Sequence, residues 1–178
     1  RAGGSGLLWD GDLRPEGFAL KYARADMFVN ALGTWIDESK SADDVLLLGA
    51  QLGLQRSVLS SASLTAGFGY YQYTGIEQYT AYDGAPEEAP EEISGNRLTA
   101  EGRYVNGFDL LEGFAQLKLP TALGSTTLYG SYVQNLAASD YDTGYTLGAK
   151  LGVGDWSIGW AYQELEADAV YAILTDSD

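Results

Sequence analysis

Two chemically versatile residue types are missing from this chain: it has no cysteine and no histidine. Without cysteine there is no disulfide scaffold, no thiolate metal site and no thiol nucleophile. Without histidine the commonest general base, the usual zinc and copper ligand, and every Ser-His or Cys-His arrangement are gone. Cations are scarce too. Ten Lys and Arg stand against 25 Asp and Glu, a net charge of −15 over 178 residues, which argues against a nucleic-acid partner because phosphate recognition needs cationic groups. No apolar run approaches the roughly 18 to 20 residues of a membrane helix, and no apolar h-region of a signal peptide follows Arg1. The length asks for one domain. Most enzyme chemistry is excluded, and no organic cofactor is implied.

What is abundant points to strands. The 23 glycines and 13 tyrosines suit sheet rather than helix, since glycine weakens helices and tyrosine favours strands. Alternation with a period of two runs through nearly the whole chain. Leu46, Leu48, Ala50, Leu52 and Leu54 oppose Leu47, Gly49, Gln51 and Gly53, and Leu64, Ala66, Phe68 and Tyr70 oppose Ser63, Thr65, Gly67 and Gly69. Trp156, Ile158, Trp160 and Tyr162 oppose Ser157, Gly159, Ala161 and Gln163. The spacing predicts eight antiparallel strands near 17–25, 27–36, 45–54, 62–73, 109–119, 126–134, 145–152 and 156–163, with a ninth beginning near Ala169. Runs of about 9 to 11 residues match a tilted transmembrane strand.

Two architectures share this pattern. A soluble sandwich turns its apolar face inward and its polar face to water. A membrane barrel turns the apolar face to lipid and lines a lumen with the other. Here the polar faces are mostly Gly, Ser, Thr and Ala, as suits a lumen wall. Charge separates the two further. Segments 36–44, 74–108, 135–144 and 163–178 hold 18 of the acidic and three of the basic residues, so they carry the entire net charge of −15, and the remainder is neutral. In an up-and-down meander those four segments fall at one end, as the long external loops of outer-membrane barrels do. The expected fold is therefore all-β, an antiparallel up-and-down transmembrane β-barrel. Residues 1–178 form one barrel region with a long acidic external loop at about 74–108.

Four motifs carry a resemblance to a known family. LLWDGDLRPEGFALKY (Leu7 to Tyr22), FDLLEGFAQLKLP (Phe108 to Pro120), YVQNLAASDYDTGYTLGAKLG (Tyr132 to Gly152) and GDWSIGWAYQELEADAV (Gly154 to Val170) are similar to a family of bacterial porins. The resemblance implies a Gram-negative outer-membrane barrel that passes small hydrophilic solutes and ions by passive diffusion. Its lipid partners would be the bilayer and lipopolysaccharide, and such porins have more than eight strands and often form homotrimers. The chain ends at Thr175 to Asp178 in a loop-like stretch, and on this resemblance it is expected to be the C-terminal-side portion of a longer barrel.

Candidate site residues follow from the pattern. Lys21, Glu112, Gln116, Lys118 and Lys150 sit on polar faces, where they would line the lumen and tune selectivity. Glu87, Glu88, Glu91 and Glu92 would form an acidic vestibule that concentrates cations. The same four are also a weak calcium candidate, because carboxylate oxygens suit hard cations although no EF-hand spacing is present. Trp35, Tyr70, Tyr73, Trp156, Trp160 and Tyr162 would form an aromatic girdle at the lipid–water boundary. Mouth and lumen lysines oppose each other, and with Glu112 offsetting Lys118 the expectation is weak cation preference. The alternative is a soluble β-sandwich or barrel that binds carbohydrate or another ligand through its acidic loops. No catalytic constellation is found; Glu164 and Glu166 share a strand face, as carboxylate pairs in an acidic protein commonly do.

Overall fold

The structure is a computed structural model that describes residues 6–9, 16–37, 44–58, 61–77, 80 and 95–175. Eight strands follow one another in chain order: β1 (Gly17–Arg24), β2 (Met27–Asp37), β3 (Val45–Val58), β4 (Ala62–Thr74), β5 (Phe108–Thr121), β6 (Gly124–Asn135), β7 (Thr143–Val153) and β8 (Trp156–Leu165). They form one sheet in the order β1-β2-β3-β4-β5-β6-β7-β8, every neighbouring pair antiparallel. The strand spans agree with the alternation to within a few residues. No helix among the described residues is long and apolar enough to cross a membrane.

These eight strands, expected as a portion of a larger barrel, do not close by themselves: among the described residues β1 and β8 each pair on one side only. The ninth strand expected near Ala169 is not formed among the described residues. That segment turns over the sheet and ends in a short 3-10 turn, Ala172–Leu174, because Ala169, Val170 and Tyr171 are consumed in the core.

The meander sorts its connections by length. Short turns join β1 to β2, β3 to β4, β5 to β6 and β7 to β8 at one end, here the turn end. Backbone geometry makes two of them tight: Ala25 adopts φ 52° and Gly154 φ 56°, the left-handed values that two-residue hairpin turns use. The longer connections leave and rejoin the strands at the opposite, loop end.

Register fixes which residues share a face, since directly paired residues point the same way. One row runs Tyr22, Val29, Leu52, Phe68, Gly113, Tyr132, Tyr145. Every large hydrophobic side chain exposed within a strand has this parity, from Phe18 and Leu20 on β1 to Ile158 and Trp160 on β8. This is the outer face.

The inner face is divided. Its loop-end half holds the core, where Tyr71, Tyr73, Phe108, Leu110 and Val133 are buried beneath segments that return over them. Leu7 and Leu8 come from the N-terminal segment, Ile76 and Tyr104 from the β4–β5 connection, and Ala169, Val170 and Tyr171 from the segment after β8. Rings supply much of the contact: Tyr171 packs on Tyr73, Tyr104 and Phe108 with centroids 5.4 to 5.5 Å apart, a spacing at which tilted aromatic pairs attract.

Candidate functional site

The inner face explains the glycine content. A Cβ at Gly148 would stand 2.2 Å from the Tyr129 ring, one at Gly53 2.6 Å from Phe28, and one at Gly67 2.9 Å from Phe114. Each of these rings belongs to the residue directly opposite on the neighbouring strand. Tyr71 lies in a trough made by two glycines, where a Cβ at Gly49 or Gly69 would approach it to 2.6 Å. Glycine thus lets a ring lie flat on the sheet at the neighbouring strand.

Tyr71 also orders the polar row. Lying over Gly69, its hydroxyl donates to Glu112 Oε2 at 3.3 Å. Glu112 is directly opposite Gly69, which is opposite Gln51, then Asn30, then Lys21. Asn30 Nδ2 donates to Gln51 Oε1 at 2.9 Å. Lys21 and Glu112 therefore share one row but stand four strands apart, roughly 19 Å along the sheet at normal strand spacing. Lys21 is exposed, whereas Glu112 is 0% exposed. Of the five lumen candidates, Glu112 alone is withdrawn from solvent.

The turn-end half presents a different surface. Gln116 stands opposite Thr65 and Tyr129. Lys118 is opposite Ser63 on one side and Thr127 on the other, and Thr127 is opposite Lys150. The two ammonium groups thus flank a threonine in one row, with their strands roughly 10 Å apart. Both lysines are exposed and neither makes an ion pair among the described residues. Of the remaining basic turn residues, Arg56 lies 3.7 Å from Asp26, with both side chains more than half exposed.

The aromatic candidates divide by parity. Trp35, Tyr70, Trp156, Trp160 and Tyr162 lie on the outer face and are exposed, Trp156 most at 84%. Tyr73 does not join them. It is offset from Tyr70 by an odd number of residues, so it points inward and is buried against Phe108 and Tyr171.

At the loop end the sequence pattern missed a polar clasp. Asp168 is 1% exposed. It accepts from the Arg97 backbone N–H at 2.9 Å, from Arg97 Nε at 2.7 Å and from Asn106 Nδ2 at 2.7 Å. Asn135, fully buried at the end of β6, donates to the Gly107 and Asp168 carbonyls, and Asn96 donates to those of Ala167 and Val170. The hydrogen bond from Arg97 to Asp168 raises the guanidinium pKa further above its usual value, and burial pushes the Tyr104 phenol up. The clasp links the β4–β5 connection, β6 and the segment after β8. Its only signal in the sequence was a basic residue, Arg97, within an acidic loop.

The remaining acidic candidates behave locally or lie elsewhere. Glu164 accepts from Tyr145 and Tyr162, and Glu166 accepts from the Thr143 backbone and hydroxyl. Glu87, Glu88, Glu91 and Glu92 lie outside the described residues. Among the described residues no cluster of three or more carboxylates could hold a metal ion. Comparison with protein-family models, curated proteins and solved structures finds no match to this chain.

Proposed function

We propose that the protein is part of a Gram-negative outer-membrane porin, which passes small hydrophilic solutes and ions by passive diffusion and catalyses no reaction. The observation that carries this reading is the facing of the sheet. Large apolar side chains are exposed along all eight strands on one face only, an area far larger than the apolar patches soluble monomers leave in water. A lipid environment accounts for it, with Trp35, Tyr70 and Tyr162 toward the loop ends of their strands and Trp156 at a turn as boundary anchors. Lipopolysaccharide and phospholipid cover that face in this reading. The open edges of β1 and β8 are met by further antiparallel strands that complete a larger barrel, and such barrels associate as trimers.

A soluble sandwich that binds carbohydrate needs a second sheet over the outer face. The described strands form a single sheet, and Trp156, Ile158 and Trp160 remain 65% or more exposed. The test is planar-bilayer conductance of the full-length protein, together with its partition between detergent and buffer. Channel activity and a need for detergent are expected. A protein that stays monomeric in buffer and carries no current would overturn the proposal. Phe68→Arg sharpens the test, because a cation facing lipid at the midplane costs about 2–4 kcal/mol, read as a lowered urea midpoint for unfolding from vesicles.

A further inference from the structure

We infer that the inner wall favours small anions, with inorganic phosphate and simple carboxylates as the solute class, through Lys118 and Lys150. The inference rests on the porin reading above and adds to it the sign of the permeating charge. Apart from Asp37, which the bulge at the loop end of β2 pairs with inward Val45, four charged residues lie on the inner face of the described strands: Lys21, Glu112, Lys118 and Lys150. The single acid among them is wholly buried and accepts a hydrogen bond from Tyr71. Between the turn end and that bulge, the described wall offers to water three lysines and no carboxylate. The premise for weak cation preference, an inner-face acid that offsets Lys118, is therefore removed.

The geometry concentrates the effect at the turn end. Lys118 and Lys150 flank Thr127 in one row, and Ser63 continues the row beyond Lys118. Two ammonium groups with the Thr127 hydroxyl between them and that of Ser63 beside Lys118 present several donors to one oxyanion, and a lysine ammonium is a compact, strongly hydrated point charge suited to phosphate. The acids nearest this half are turn residues. Asp26 sits by Arg56, and Asp155 belongs to the hairpin beyond Lys150. The acids described in the connections at the loop end lie at the other end of the strands, where their field is screened beyond about 8–10 Å at physiological salt, while a wall charge acts at contact.

The experiment is the reversal potential of the full-length protein in planar bilayers across a KCl gradient. Mean salt near 1 M limits the reach of the loop charges to about 3 Å. Wild type is expected to prefer chloride, and Lys118→Gln/Lys150→Gln is expected to lose that preference while its channels still open. Inorganic phosphate should reduce the chloride current of wild type and leave that of the double variant unchanged. Cation preference in wild type overturns this inference and leaves the porin reading standing. Chloride preference that survives in the double variant overturns the assignment to the lysine pair. Absence of any conductance overturns the porin reading, and this inference with it.

Discussion

The two halves of the inner face obey the same alternation and end in opposite states. Toward the loops, inward positions carry Tyr71, Tyr73, Phe108, Leu110 and Val133, and three chain segments return to bury them. Toward the turns, inward positions carry Gln116, Lys118, Thr127 and Lys150, and none of these is buried. The difference lies in side-chain size and in what is long enough to come back. A two-residue hairpin cannot fold over a sheet, whereas the β4–β5 connection and the segments flanking the meander can. Backbone pairing is continuous through both halves, so packing and solvent exposure are separable along the same strands. One half holds the protein together while the other, apart from Phe28 and Thr65, stays open to water.

The largest expected effect tests the packed half. Leu110 is 0% exposed in the core, and Leu110→Ala removes buried methyl groups and leaves a cavity, at a cost of about 2–5 kcal/mol. Gln116→Ala, on the same strand and the same face, should stay within about 0.5 kcal/mol. Denaturant midpoints followed by tryptophan fluorescence compare the two directly. Equal losses would mean that the halves are not different in kind.

A smaller contrast lies between two inward glycines. Gly148→Ala drives a methyl into the Tyr129 ring and should cost about 1–3 kcal/mol as overpacking does. At Gly159 the nearest atom to a new Cβ is the Ala149 carbonyl oxygen at 3.6 Å, an ordinary contact, so Gly159→Ala should be close to neutral. The same unfolding assay reads both. A neutral Gly148→Ala would show that the ring can swing away and that glycine is not needed beneath it.

Smaller still is the local effect of opening the clasp. Asp168→Asn keeps the shape but removes the charge that Arg97 and Asn106 meet. The β4–β5 connection should become cleavable near Arg97 at protease levels that spare wild type, with little change in the global midpoint. Cleavage that appears only with global unfolding would mean that the aromatic cluster, rather than the clasp, holds the cap.

Period two was enough to place all eight strands and their order, because each run is long and each face consistent. It also put Phe68 and Trp160 on one face and Lys118 and Lys150 on the other. Coverage was beyond its reach. Glu112 and Lys118 have the same parity, and nothing local says that one is buried beside Tyr71 and the other left wet. Tyr73 was grouped with Tyr70 by proximity in sequence, although the three-residue offset already places it on the opposite face. Asp168 counted as one more loop acid, since its partners Arg97 and Asn106 lie 71 and 62 residues away. Closure was out of reach for a similar reason: alternation reports that a strand has two faces and says nothing about what meets its edge.

The smallest expected effect concerns the acidic loops against the lysine wall. Changing Glu87, Glu88, Glu91 and Glu92 to Gln removes four of the acidic charges carried by the longest loop segment, 74–108. Their field at the wall depends on screening. At about 0.01 M salt the Debye length is roughly 30 Å and loop charges reach along the strands, while at 1 M it is about 3 Å and they do not. In the proposed porin a negative mouth would deplete anions before they reach the lysines, so it would oppose the wall in dilute salt only. The quadruple variant should therefore show a stronger chloride preference than wild type at about 0.01 M KCl and the same preference at 1 M. Reversal potentials at the two salt levels make the comparison, with Lys118→Gln/Lys150→Gln as the reference that shifts at both. A variant that differs from wild type equally at high and low salt would place those glutamates at contact distance from the permeating ion. Mouth and wall would then be one site rather than two.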